Sequence, residues 1–169
     1  IICEANAFPR QLMQPFYLDY VGVVVCHQGM FHFRADGASF VVSAGETVFL
    51  SKGVMFQVTD TTQELRYTLL FYRTEQIVDM LGNTVVTMRL YSTIYPSACY
   101  VMHTGYEEML SDYAQMLSRI EGKGDTDIYS SHEHKLLLMA VTYRLCSIFS
   151  NTLKSPTKEM DRKIEIFEE

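Results

Sequence analysis

The sequence has no tryptophan and no C-x-x-C pair, and the second absence excludes more. Cys3, Cys26, Cys99 and Cys146 stand at spacings that fit no zinc pattern. The expectation is unpaired, mostly buried thiols in a reducing compartment. Long basic runs are also missing. With 14 Lys and Arg against 20 Asp and Glu the net charge is −6, a poor match to a DNA backbone. No apolar run reaches the roughly 18 residues that a membrane span needs. The most apolar stretch, Leu136 to Val141, is short and is soon followed by Arg144. No signal peptide, Gly-rich phosphate loop, internal repeat or low-complexity tract is visible. A cytoplasmic chain with no membrane partner is expected. The chain opens at Ile1 rather than Met, which suggests that the natural N-terminus lies upstream.

What is present is bulk and rhythm. The 169 residues suit one domain with at most a small appendage, and 48% of them are apolar, with 11 Tyr and 10 Phe carrying much of the volume. Between Gly29 and Val58 short Phe- and Val-rich runs are separated by Ala35-Asp36-Gly37, Ser43-Ala44-Gly45 and Ser51-Lys52-Gly53. Runs this short, with a Gly in each gap able to take positive φ, predict antiparallel hairpins. Tyr17 to Cys26 ends in Val-Val-Val-Cys, apolar on both faces, which predicts a central strand. Gln28-Gly29 ends it, and Leu65 to Tyr72 forms another strand. About seven strands before residue 73 at hairpin spacing predict a sandwich or small barrel. Residues 1–16, with Phe8-Pro9 and Gln14-Pro15, read as an arm lying on that body.

The period then changes. Glu75 to Leu81 reads as a short helical turn, and residues 84–102 carry only a weak strand signal that Tyr95-Pro96 breaks. Thr104-x-x-Glu107 is a capping box. The helix after it has a stripe of Met109, Leu110, Tyr113, Met116, Leu117 and Ile120. Ser130-x-x-Glu133 offers a second box, before a helix running to about Leu153. That helix is apolar nearly all round, more than one contact face requires. Either it is sandwiched within its own fold, or its spare face forms a subunit interface, for which Leu138, Tyr143, Leu145 and Phe149 are the candidates. Ser155-Pro156 begins a last helix, with Met160, Ile164 and Phe167 on one stripe. That stripe still runs at Glu169, so further chain is expected.

Gly45-Glu-Thr-Val-Phe-Leu-Ser-Lys-Gly-Val-Met-Phe56 resembles the second conserved motif of cupins. The order of elements, a strand series, this motif, two amphipathic helices and a charged helix ending Asp161-Arg-Lys-Ile-Glu-Ile-Phe-Glu-Glu, resembles the N-terminal ligand-binding and dimerisation domain of AraC-type transcriptional regulators from Bacteroides-like bacteria. The resemblance implies a mainly β fold with C-terminal helices: a cupin-like double-stranded β-helix, or jelly-roll, barrel followed by an antiparallel helix pair. It divides the chain into a sensing barrel with its arm over 1–103, a helical dimerisation region over 104–154, and a linker helix over 155–169 leading to a helix-turn-helix half outside this sequence. It implies a homodimer, a small-molecule effector of unknown identity or none, DNA contact only through that other half, and no cofactor.

The residues depart from enzymatic cupins where metal would be held. Phe56 stands at the second-motif His position, Ser51 and Lys52 replace the usual prolines, and no His-x-His precedes them. His27 and His32 are an odd number of residues apart, on opposite faces of any continuous strand. A first-row metal needs three or four ligands, so a small metal-dependent cupin isomerase or dioxygenase is the alternative rather than the leading reading. His132-x-His134 reads as a solvated turn at a helix start. Cys26 lies in an apolar strand, where a thiol is inert. Residues spaced by two would line the vessel: Val24 and Cys26, Phe56 and Val58, and Tyr67, Leu69 and Phe71. Cys26, Phe33, Phe56, Val58, Tyr67 and Leu69 are the candidate ligand-binding set; His32, Arg34, Gln57 and Tyr67 could orient a ligand. No Arg stands near Cys26, where sugar-binding relatives carry one, so the cavity is mostly apolar. It takes a flat or apolar ligand, or its own rings fill it and the domain only dimerises.

Overall fold

The computed structural model describes residues 1–76, 99–122 and 127–154. Among the described residues nine strands, β1 to β9, and two α-helices, α1 (Glu107–Glu121) and α2 (Ile128–Lys154), follow in order. The strands form two antiparallel sheets. The first has the order β1-β8-β3-β6-β9, the second β2-β7-β4-β5. In the first sheet are β1 (Ile2–Ala5), β3 (Val21–Gln28), β6 (Thr47–Leu50), β8 (Arg66–Tyr72) and β9 (Cys99–Met102). The second holds β2 (Phe16–Tyr17), β4 (Met30–Ala35), β5 (Ala38–Ser43) and β7 (Met55–Thr61). The architecture is mainly β with C-terminal helices and fits a jelly-roll, as two facing sheets rather than a closed barrel.

Local chemistry explains the strand order. Asp36 and Gly37 both take positive φ, 49° and 87°, the two-residue turn whose twist suits a hairpin. The Asp36 carboxylate also accepts the Met55 N–H at 2.8 Å, which ties the tip of that hairpin to β7. Gly22 is needed for a different reason. A Cβ there would meet Phe71 Cε1 at 2.6 Å and Leu50 Cβ at 3.1 Å, so any larger residue at the centre of the first sheet would have to push the Phe71 ring aside. The Val run predicted as a central strand is β3, paired with β8 on one side and β6 on the other.

Because β3 and β8 are buried on both faces, two cores share one sheet. Val24 and Cys26 point between the sheets, where Phe31, Phe33, Phe56, Val58, Tyr67 and Leu69 join them. Val23 and Val25 point the other way, onto Leu110, Ala114 and Leu117 of α1 and Leu138, Val141, Leu145 and Phe149 of α2. The helices therefore lie on the back of the first sheet.

Several expectations are corrected. The first residues are not only an arm, since β1 pairs antiparallel with β8 at the sheet edge. On α1 the buried residues are Leu110, Ser111, Ala114 and Leu117, while Met109 and Met116 are exposed; the stripe is rotated because Ser111 and Ala114 are small enough to approach the sheet. Half of the first capping box forms. Glu107 accepts the Thr104 N–H at 2.6 Å, but the Thr104 hydroxyl accepts the Tyr106 N–H rather than one deeper in the helix. The second box does not form, because α2 starts earlier and Asp127 accepts the Ser130 N–H at 2.7 Å. His132 and His134 accordingly stand in the helix, not a turn, bonded to the Ile128 carbonyl and the Glu121 carboxylate. The turn expected at 75–81 begins as a 3-10 turn over Thr74–Gln76. The rest of it, the weak strand before Cys99 and the helix from Ser155 lie outside the described residues.

Candidate functional site

The six candidate ligand-binding residues come together. Cys26, Phe33, Phe56, Val58, Tyr67 and Leu69 all belong to the cluster between the sheets, each at most 3% exposed. Register brings them there: Cys26 stands opposite Tyr67 and Val24 opposite Leu69 in the first sheet, and Phe33 opposite both Phe40 and Val58 in the second. The rings pack on one another. Phe33 stacks on Phe40 at 5.0 Å between centroids and lies 5.4 Å from Phe56. The position where a cupin metal site would have its second-motif His is thus a ring inside an aromatic cluster. Among the described residues no three His, Cys, Asp or Glu side chains converge as metal ligands do.

Of the polar candidates only Tyr67 faces this interior. His32, Arg34 and Gln57 alternate with Phe31, Phe33, Phe56 and Val58 on the same strands. The two-residue period that turns the rings inward turns the polar side chains outward. His27 and His32 prove to be in different sheets, parted by Gly29 at φ 73°. Burial pushes the Cys26 thiol up to about 11 and the Tyr67 phenol up to about 12. Both are neutral at ordinary pH: Cys26 is no nucleophile, and Tyr67 is a hydrogen-bond donor.

That donor has a partner from the arm. The Tyr67 hydroxyl donates to the Ala7 carbonyl oxygen at 3.1 Å, and the next residue, Phe8, lays its ring on the Tyr67 ring at 3.9 Å and 19°. Phe8 also meets Phe31 edge-on at 5.1 Å. The segment carrying it runs from β1, on the edge of the first sheet, to β2, on the edge of the second. Neither Phe8 nor Phe31 is among the sequence candidates. Phe8 shares its arm with Leu12, Met13 and Phe16, so no local signal singles it out.

The four interface candidates separate. Leu138, Leu145 and Phe149 are buried in the subunit against the first sheet, with Phe149 edge-on to Phe49 at 4.8 Å. Only Tyr143 is exposed, and it is not alone. Tyr129, Leu136 and Tyr143, 82%, 56% and 48% exposed, recur every seventh residue along the outer side of α2, with Met109 and Met116 exposed on α1. A polar link joins helix to sheet: His27 Nε2 lies 2.8 Å from the Thr68 hydroxyl and 3.4 Å from that of Ser111.

No family model matches the chain, and no curated protein matches it. Solved structures do, an AraC-like transcriptional activator among them. The AraC-like transcriptional activator CuxR is 16% identical with a TM-score of 0.48, over 79% of this chain and 43% of that one. Apo ToxT K231A from Vibrio cholerae strain SCE256 is 10% identical with a TM-score of 0.46, over 82% and 51%. Wild-type ToxT from that strain, solved with an unsaturated fatty acid bound, is 12% identical with a TM-score of 0.32, over 66% and 50%. The chain spans about half the length of the solved chains that it matches.

Proposed function

We propose that this chain is the effector-binding and dimerising part of a bacterial, cytoplasmic AraC-type transcriptional regulator, and not an enzyme. Contact with DNA then falls to a segment outside this sequence, consistent with the net charge of −6. The observation that carries the reading is the division of labour between the faces of the first sheet. Its inner face packs its side chains against the second sheet, where a ligand chamber would lie, and its outer face is covered by helices that still expose an apolar row. A ligand in the chamber and a second subunit on the helices would then both bear on β3 and β8. An effector favouring one arrangement of that sheet would shift the pairing geometry through its differential affinity.

Sedimentation tests the pairing. The protein at tens of micromolar is expected to be a dimer, and Leu136→Glu and Tyr143→Glu to make it monomeric without unfolding it. A wild-type protein that stays monomeric counts against the reading. The aromatic filling of the chamber favours a second reading, a pairing module with no effector; it requires that no small molecule raise the melting temperature.

A further inference from the structure

The strap between β1 and β2 is mostly exposed. From Asn6 to Pro15 only Phe8 and Leu12 are buried. Its other holds on the body include the hydrogen bond from Tyr67 to the Ala7 carbonyl and one from the Gln57 amide to the Met13 carbonyl, both 3.1 Å. A strap held by two side chains and a few hydrogen bonds opens locally at far lower cost than the sheets it joins. Its ends stay fixed, since Ala5 pairs with Tyr67 and Phe16 with Phe56. Phe8 can therefore leave the chamber as a loop, without either sheet coming apart.

What Phe8 would leave behind is chemically defined. The slot has the Tyr67 ring as one wall and the Phe31 edge as another. It also contains a phenol hydroxyl whose acceptor departs with the strap. Tyr67 is fully buried under the closed strap, so its hydroxyl gives up its bond to Ala7 when the strap lifts and needs water or a guest to accept in its place. A purely aliphatic guest would fill the space and leave that donor unmet. A guest with both a flat ring and an acceptor oxygen would restore both contacts.

We propose that Phe8 is a built-in occupant of the effector slot, displaced by a small molecule that carries one aromatic ring and a carbonyl oxygen. This inference rests on the effector-binding reading above. The covalent path sets the spacing. Between the Ala7 oxygen and the Phe8 ring lie the carbonyl carbon, the amide nitrogen, Cα and Cβ. N-(2-phenylethyl)acetamide reproduces that path and is the probe of choice. Binding frees the strap, so occupancy of the chamber is reported on the outside as exposure of residues 6–15.

Two measurements on the whole chain test this. In the first, trypsin cleavage after Arg10, an exposed residue of the strap, is followed with and without probe. Saturating probe is expected to speed this cleavage about fivefold or more while leaving sites within the sheets protected. In the second, calorimetry measures the probe on wild type, Phe8→Ala and Tyr67→Phe. A molecule of this size should bind the emptied slot of Phe8→Ala at about 1 mM, at least about tenfold tighter than wild type because no occupant competes. Tyr67→Phe should weaken it about fivefold. A folded Phe8→Ala protein with no saturable binding up to about 10 mM overturns the proposal. So does a wild-type protein that binds the probe with Arg10 still protected, which would leave effector binding in place and remove only the plug. If Phe8→Ala does not fold, the wild-type cleavage experiment decides alone. Sedimentation of the same samples reports pairing separately, so loss of the broader reading is seen independently.

Discussion

The two cores of this molecule meet on the same two strands and are built differently. The core between the sheets buries the rings of Phe8, Phe31, Phe33, Phe56 and Tyr67 among Leu and Val side chains, and one of those rings arrives on a strap from outside the sheets. In the back core helices deliver Leu110, Leu117, Leu138, Val141 and Ile148 onto Val23, Val25 and Leu70, and its buried rings, Phe49, Tyr72 and Phe149, all come from elements of the regular fold. Helices present branched side chains at fixed intervals and seal a flat sheet well. Rings from facing strands pack in preferred offset and edge-on geometries, and one more ring can be exchanged among them. The difference suggests a structural role for the back and an exchangeable one for the chamber.

The largest effects should come from treating the back core as an interface. Leu138→Glu places an unpaired carboxylate among buried apolar residues and should cost the subunit about 3–5 kcal/mol. Tyr143→Glu, only five residues on but facing out, should change the unfolding free energy of the monomer by less than about 0.5 kcal/mol while abolishing pairing. Urea titration and sedimentation of both variants separate the two sides of α2, and equal destabilisation would erase the distinction. Next come Phe33→Ala in the chamber and Phe149→Ala at the back, each expected to cost about 3–5 kcal/mol. Since β3 and β8 serve both cores, helix signal and tyrosine fluorescence should be lost together in one transition. Helices that melt first would show that the back is a separate cooperative unit.

The same division explains which features are legible in the sequence. Strand positions were legible because hairpin glycines and short Phe and Val runs are local signals; Gly29, Gly37, Gly45 and Gly53 all take the positive φ that their turns required. The inward set was legible because β strands alternate, which put Cys26, Phe56, Val58, Tyr67 and Leu69 on one side. The outward fate of His32, Arg34 and Gln57 follows from the same rule applied to Phe33 and Phe56. The helices were harder. An all-round apolar α2 does not announce which side meets the sheet, so Leu138, Leu145 and Phe149 were as eligible for the interface as Tyr143. On α1 the small residues Ser111 and Ala114 decided the phase, and a count of large apolar residues passes over them. Phe8 was illegible as a chamber residue because its partners, Phe31 and Tyr67, are distant in sequence.

Smaller effects probe the joints between helix and sheet. Glu107 is partly buried, which by itself would raise its pKa, but the N–H groups of Thr104 and Gly105 and the Thr104 hydroxyl outweigh that and hold it below the ordinary carboxylate value. A depressed acid stabilises the fold at pH above its unfolded value, and that contribution is lost as pH falls through the folded one. Glu107→Ala should cost about 1 kcal/mol at neutral pH, with the difference from wild type shrinking below about pH 4.3.

His27 provides the subtlest test, in a different window. Burial lowers its pKa first of all, Glu4 nearby opposes that, and Arg66 adds to it. The folded protein thus prefers the neutral ring that sits between the Thr68 and Ser111 hydroxyls. A base with a lowered folded pKa contributes fully above its unfolded value, about 6.5, and that contribution fades as pH falls towards the folded value. Wild type should therefore lose stability on going from pH 7 into the moderately acid range, above the window in which Glu107 titrates. His27→Gln, which cannot take up that proton, should flatten this slope by less than about 1 kcal/mol in total. Because Ser111 lies on α1 and Thr68 on β8, the loss should appear first as exchange of amide protons in the first turns of α1, with those of β4 and β7 unaffected. A slope unchanged in His27→Gln would assign the acid sensitivity to carboxylates and leave the helix–sheet joint insensitive to pH.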